Sequence, residues 1–252
     1  MNGRNVIETQ DLTKVYGEQT AVDRLNLKIT QGEVFGFLGP NGSGKTTTLL
    51  MLLGLSEPTF GKAWVCGFDP TREPLKVKRL VGYLAENVGF YDDMNAEQNL
   101  LFISRLNEIP DEKARKKIVE LLKIVYLDAN PKKKVGEYSR GMRQRLGIAE
   151  VLMKEPQVVF LDEPTLGLDP DGSLQMLELI RSLSREKKIT VFFSSHLLDQ
   201  VQKISHRVGI MIKGQLVAVG RIEDLAKEKF GVGQERYTLE EVYMKYFKEG
   251  QS

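Results

Sequence analysis

Residues 39–46 read GPNGSGKT, which satisfies the spacing G-x-x-x-x-G-K-[ST]. Glycines at these places let the backbone wrap until successive N–H groups point at phosphate oxygens. A lysine there supplies a point charge to the outer phosphates of a nucleoside triphosphate, and the hydroxyl after it can ligate Mg²⁺. The candidate nucleotide contacts are Asn41, Gly42, Ser43, Gly44, Lys45, Thr46 and Thr47, with Thr46 also a candidate metal ligand. A second group follows later in the chain, where the apolar run Val158-Val159-Phe160-Leu161 ends in Asp162-Glu163. Where such a phosphate loop is used, an acidic residue closing a buried strand holds Mg²⁺, directly or through water; Asp162 takes that role. Glu163, one residue on, stands where a carboxylate can orient or deprotonate an attacking water. Alone, the pair also reads as two solvated charges at a strand end. Its place after the phosphate loop favours the site.

These residues need rigid elements to hold them. Short β-like runs at Val6 to Glu8, Leu25 to Ile29 and Val34 to Leu38 lead into the glycine-rich turn, and Thr46 to Leu55 then reads as a helix. Trp64 to Cys66 and Leu80 to Leu84 read as further strands. From Ala96 to Leu127 the pattern is helical, and Ile118, Leu121 and Leu122 share a face opposite Lys113, Lys116, Lys117 and Glu120. A basic loop at Pro131 to Lys134 precedes a helix from about Met142 to Met153. The continuous apolar runs Val158 to Leu161 and Ile189 to Phe193 suit strands buried on both faces, with a helix from Ser173 to Arg185 between them. Buried strands alternating with helices imply an α/β fold, a mostly parallel sheet with helices on both faces. The helical stretch interrupts that alternation and reads as an inserted subdomain. Leu239 to Phe247 is amphipathic and reads as a helix packed on the domain's own surface.

Composition narrows the function classes. The chain has 252 residues, 41% hydrophobic and 28% charged, ordinary values for a globular protein able to bury a core without staples. Cys66 is the only cysteine, so no internal disulfide forms, and a reducing compartment fits. MNGRNVIETQ contains no apolar stretch of signal-peptide length, and Leu49 to Leu53 is far shorter than the roughly 20 residues that span a bilayer. A net charge of +2 is too mild for the footprint of a nucleic-acid binder, so no nucleic-acid partner is expected.

Tyr138-Ser139-Arg140-Gly141-Met142, between the phosphate loop and the carboxylates, resembles the LSGGQ signature of the ABC ATPase family, keeping the serine and the second glycine. Pro164 to Pro170, PTLGLDP, resembles that family's D-loop, and Ser194-Ser195-His196 follows the last buried strand, where the family places a switch histidine. The resemblance covers nearly the whole chain. It implies a P-loop ATPase core with an antiparallel β subdomain, and a nucleotide-binding domain over 1–222 with a helical subdomain at about 86–153. A helical tail over 223–252 completes the expected organisation. It further implies ATP and Mg²⁺ as cofactors, Tyr16 as the surface for the adenine ring, Ser139 and Gly141 as contacts to the γ-phosphate held by an opposite subunit, and His196 as a catalytic partner of Glu163. Where the family has a glutamine reaching Mg²⁺, Glu86 stands here; a carboxylate is the better ligand, so Glu86 joins Thr46 and Asp162 as a metal candidate. His206, without such a position, reads as structural.

The partners implied are a separate transmembrane permease and a second ATPase subunit, either an identical copy or a related chain. The location implied is cytoplasmic, peripheral on the inner face of the cell membrane. The variant signature, Glu86 and the segment around Leu239 to Tyr243 most resemble the drug-resistance and exporter-like branch. The rival reading is a soluble ABC protein acting on ribosomes or DNA. Such proteins carry two fused copies or long coiled coils, and neither a second phosphate loop nor sustained heptads occurs here.

Overall fold

Two long strands open the chain, β1 (Asn5–Tyr16) and β2 (Gln19–Thr30), paired antiparallel. Both run well beyond the short segments that hydrophobicity alone marks, because their outward positions are polar and only one face is buried. β3 (Val34–Leu38) is buried along its whole length and delivers the chain to α1 (Lys45–Leu52). α1 ends earlier than the expected Leu55, since the amides of Leu55 and Ser56 both turn back to the Leu50 carbonyl. β4 (Phe60–Val65) returns to the free edge of β1, and α2 (Pro74–Leu80) leads into β5 (Val81–Leu84). Three helices follow: α3 (Ala96–Leu106), α4 (Asp111–Ile124) and α5 (Arg140–Leu152). β6 (Val158–Asp162), α6 (Pro170–Arg185), β7 (Thr190–Ser195) and α7 (Leu198–Ile204) restore the alternation. The hairpin β8 (Arg207–Ile212) and β9 (Gln215–Gly220), then α8 (Ile222–Phe230) and α9 (Leu239–Glu249), complete the chain. This computed structural model describes residues 4–231 and 237–249; the first three residues, and 232–236 and 250–252 of the expected tail, lie outside the described residues.

Among the described residues the strands form two sheets. The smaller is antiparallel, in the order β2-β1-β4; the larger runs β5-β6-β7-β3-β8-β9, parallel except for its last strand. The β8–β9 hairpin was not legible in advance, because β9 is half exposed at the sheet edge.

Two-residue alternation divides the large sheet between two cores. Phe35, Phe37, Phe160 and Phe192 face the antiparallel sheet and α1, with Phe192 central: its ring lies 5.1 Å from Phe37, 5.5 Å from Phe35 and 5.7 Å from Phe160. Val34, Leu38, Val159, Leu161, Val191 and Phe193 face the helices instead. The helical insert shares this second core. α5 lies so close to β5 that a Cβ on Gly147 would stand 2.4 Å from Leu84 Cδ1, and Ile118, Leu121 and Leu122 of α4 join the same cluster. The tail does likewise: Leu239, Val242 and Tyr246 of α9 are buried in that core, and the position expected to begin the tail, 223, lies one residue inside α8. No helix among the described residues is long and apolar enough to cross a membrane.

Candidate functional site

β6, β7 and β3 are neighbours and parallel, so the segments leaving their C-terminal ends emerge side by side. β3 supplies the phosphate loop, β6 ends in Asp162 with Glu163 following, and His196 follows β7. This topology gathers residues far apart in sequence around one cavity of about 580 Å³.

The phosphate loop turns into α1 through Gly44, whose φ of +104° suits only glycine; a Cβ there would also stand 2.3 Å from the Ala21 carbonyl oxygen. α1 has no acidic residue in its first turn, so its positive end stays open to an anion. Lys45 is 6% exposed and curls over its own loop, its Nζ donating to the carbonyls of Gly39 (2.7 Å) and Pro40 (3.3 Å). Burial pushes the Lys45 ammonium below its usual value, against the opposing pull of Glu163 and Asp162.

The carboxylates have different surroundings. Asp162 is held on both oxygens: the Ser194 hydroxyl donates to Oδ1, and the Thr46 hydroxyl donates to Oδ2 at 3.1 Å. Ser194 is fully buried and also accepts the Glu163 amide at 3.1 Å, so one hydroxyl fixes both residues of the pair. Glu163 sits at φ +49°, in the left-handed region, where its backbone leaves the strand. Its Oε2 lies 3.0 Å from His196 Nδ1, while Oε1 is buried with no hydrogen-bond partner and has Lys45 Nζ at 3.7 Å. A buried carboxylate oxygen without a partner is costly unless something arrives to meet it.

Glu86 is exposed and lines the same cavity. Burial, with the charges of Asp162 and Glu86 nearby, pushes the Tyr83 phenol up to about 12, and both carboxylates line the one cavity. Thr46, Asp162 and Glu86 thus offer three oxygen donors of the kind a hard divalent cation prefers. At the other end Tyr16 is half exposed, its hydroxyl 3.4 Å from Ser56 Oγ and the Lys14 ammonium 4.9 Å from its ring centre. An open aromatic face beside a phosphate loop is suited to stacking a base.

Asn41, Gly42, Gly44, Lys45, Thr46, Thr47, Glu86, Asp162, Glu163, His196 and Tyr16 all line the cavity. Three sequence candidates do not. Ser43 is turned inward, 2% exposed, with its hydroxyl unpartnered and its amide bonded to the Pro40 carbonyl. Ser139 and Gly141 lie apart, at the start of α5, where the Ser139 hydroxyl caps the helix by accepting the Met142 amide at 3.2 Å. Gln19, Ala21 and Leu166 line the cavity without having been expected, and Ser194 was passed over beside His196. A serine closing a buried strand next to an acidic strand end was the available signal for Ser194. Gln19 and Ala21 carried none, since only the hairpin brings them there. His206 is structural: its Nδ1 accepts the Val34 amide at 2.8 Å.

The ABC transporter family profile matches residues 22–166. The chain is similar to the bacitracin transport ATP-binding protein BcrA of Bacillus licheniformis, 45% identical over 84% of this chain and 68% of that one. It is also similar to a probable multidrug ABC transporter ATP-binding protein, YbhF, of Escherichia coli, 36% identical over 96% of this chain and 42% of the relative. Among solved structures, a dimeric ATP-binding cassette in a post-hydrolysis state with ADP and Pi aligns with TM-score 0.75 at 26% identity, over 85% of this chain and 98% of that one. CbiO1 of Clostridium perfringens, part of the ABC transporter complex cbiONQ, aligns with TM-score 0.82 at 25% identity, over 98% of both chains.

Proposed function

The chain belongs to the ABC transporter family as an ATP-binding subunit, and from that premise we propose that it is an Mg²⁺-dependent ATPase working as a pair with a separate membrane permease. One observation carries the reading. Lys45, Thr46, Asp162, Glu163 and His196 meet in one cavity, while Ser139 and Gly141, the other phosphate-binding candidates, stand outside it. A second copy placed head to tail brings its Ser139 and Gly141 to that cavity. Since one chain carries both halves, two identical copies would make two complete sites. Tyr16 stacks the adenine, and the loop amides with Lys45 hold the phosphates. Glu163 takes a proton from a water whose oxygen bonds to the γ-phosphorus as the bond from that phosphorus to the β–γ bridging oxygen breaks. His196 holds Glu163 in line through the 3.0 Å contact. The tail, packed into the core through α9, is proposed as part of the same nucleotide-binding unit.

Thr46, Asp162 and Glu86 are the residues that would hold Mg²⁺, which neutralises charge on the phosphate oxygens when bound. We expect Glu86→Ala to raise the Mg²⁺ concentration giving half-maximal hydrolysis, and Glu86→Gln to raise it less, with metal-free nucleotide affinity nearly constant. Identical Mg²⁺ titrations for all three proteins would remove Glu86 from the metal shell.

The loop after Glu86 joins this site to the signature helix and is the proposed docking surface for the permease. Gln144 of α5 donates to the Glu86 carbonyl at 2.8 Å, and Arg143 of α5 pairs with Asp92 at 2.6 Å. Buried Asn99 clamps Tyr91 from both sides, accepting its amide at 2.9 Å and donating to its carbonyl at 3.1 Å. Of the two aromatics in this loop, Tyr91 is the exposed one, half exposed and edge-on to Phe102, whereas Phe90 packs against the core. Tyr91→Asp should therefore leave hydrolysis by the isolated subunit intact while preventing its recovery with membranes bearing the permease. Phe90→Asp should damage both. Wild-type membrane recovery of Tyr91→Asp would place the docking surface elsewhere. From the likeness to the bacitracin transport and probable multidrug relatives, an exporter-like role is proposed for the complex.

A further inference from the structure

Arg140 stands where the family signature has a glycine, and its surroundings give it no structural employment. It is the first residue of α5, the positive end of that helix, and no acidic residue occupies the first turn. A cation is unfavourable there. Its neighbours on the same helix are engaged: Arg143 pairs with Asp92, and Arg145 donates to Gln175 at 2.7 Å. The Arg140 side chain is exposed and, among the described residues, has neither ion pair nor hydrogen bond. Yet it is not loose. Its guanidinium lies against Gly167 of the segment following Glu163: a Cβ on Gly167 would stand 2.8 Å from Nη1, 3.1 Å from Cζ and 3.3 Å from Nε. Gly167 is at φ +70°, and Leu168 beside it lies 3.7 Å from where a Cβ of Gly141 would be. The signature helix start and this loop are thus packed together within one chain, with a free five-donor fork held at their junction beside the Ser139 cap.

From this we propose that Arg140 reaches across the paired subunits as a second cation on the terminal phosphate of ATP held by the opposite copy. Gly167 is the surface that orients it. A planar guanidinium matches two phosphate oxygens at once, and an anion arriving at the helix start removes the repulsion that Arg140 otherwise suffers there. The inference rests on the two-copy reading above. It also gives the departure from glycine a purpose: each site receives one cation, Lys45, from its own chain and one from the partner.

The test uses Glu163→Gln as the parent protein and measures the ATP-driven monomer–dimer constant by sedimentation at several salt concentrations. Adding Arg140→Ala should weaken the ATP dimer by roughly tenfold to a thousandfold and flatten its salt dependence. Adding Arg140→Lys should recover part of the loss. ATP affinity of the dilute monomer should stay constant, because Arg140 does not line its own chain's cavity. A dimer constant within twofold of the parent for Arg140→Ala would overturn the proposal. So would equal losses in Arg140→Ala and Arg140→Lys with the salt dependence unchanged, since packing on Gly167 would then account for the effect. A parent that fails to pair with ATP at all would instead remove the two-copy reading, and this inference with it.

Discussion

Glu163→Gln is expected to lower steady-state ATP hydrolysis by roughly a hundred- to ten-thousand-fold while leaving ATP affinity close to its original value. Glutamine keeps the shape of the side chain and can keep a hydrogen bond to His196 Nδ1, which lies 3.0 Å from Oε2. What it loses is the ability to accept a proton from water. The backbone at φ +49° should keep its place, because it is held by the Ser194 bond to the Glu163 amide rather than by the side chain, and Lys45, though it loses one counter-charge, keeps Asp162 and two carbonyl acceptors. Affinity is maintained because the variant presents one fewer negative charge to the phosphates, and Lys45 retains its bonds to Gly39 and Pro40. Arrest before hydrolysis should also accumulate the ATP-bound pair. The measurement is turnover alongside single-turnover hydrolysis and nucleotide affinity. Near wild-type turnover would end the assignment of Glu163 as base, and a parallel collapse of affinity would point to a misfolded site.

Much of this site was legible because its parts are local. GPNGSGKT carries its own geometry, and Asp162-Glu163 announces itself at the end of a run buried on both faces. The strands β6 and β7 are legible as continuous apolar runs because a parallel sheet covered on both sides leaves no polar alternation to confuse the pattern. What escaped depends on tertiary placement. Gln19 and Ala21 reach the cavity only through the β1–β2 hairpin, whose long polar face hid its extent. Ser194 looks like any strand-end serine until β7 is laid beside β6, which brings its hydroxyl to Asp162. Ser43 differs from its neighbours in the loop: its side chain points into the protein, which the motif alone does not tell. Phe90 and Tyr91 are adjacent and chemically alike, and only packing tells them apart.

Lys45→Met should produce the second large effect, and two separate readouts follow from the same geometry. Methionine keeps the stem and removes the charge, so ATP affinity should fall by a hundredfold or more, because the buried cation facing the outer phosphates is gone. The second readout needs no nucleotide. Glu163 Oε1 has no hydrogen-bond partner and only Lys45 Nζ, 3.7 Å away, as its counter-charge, with both side chains less than a tenth exposed. Asp162 keeps its bonds from Ser194 and Thr46, so Glu163 bears the loss. Removing one partner of a buried ion pair leaves the other charge uncompensated, a cost of about 3 kcal/mol. Denaturant unfolding of both proteins without nucleotide at neutral pH should show the variant less stable by about that amount. A variant as stable as the wild type would show that the Lys45–Glu163 pair does not hold the site together, whatever Lys45 does for ATP.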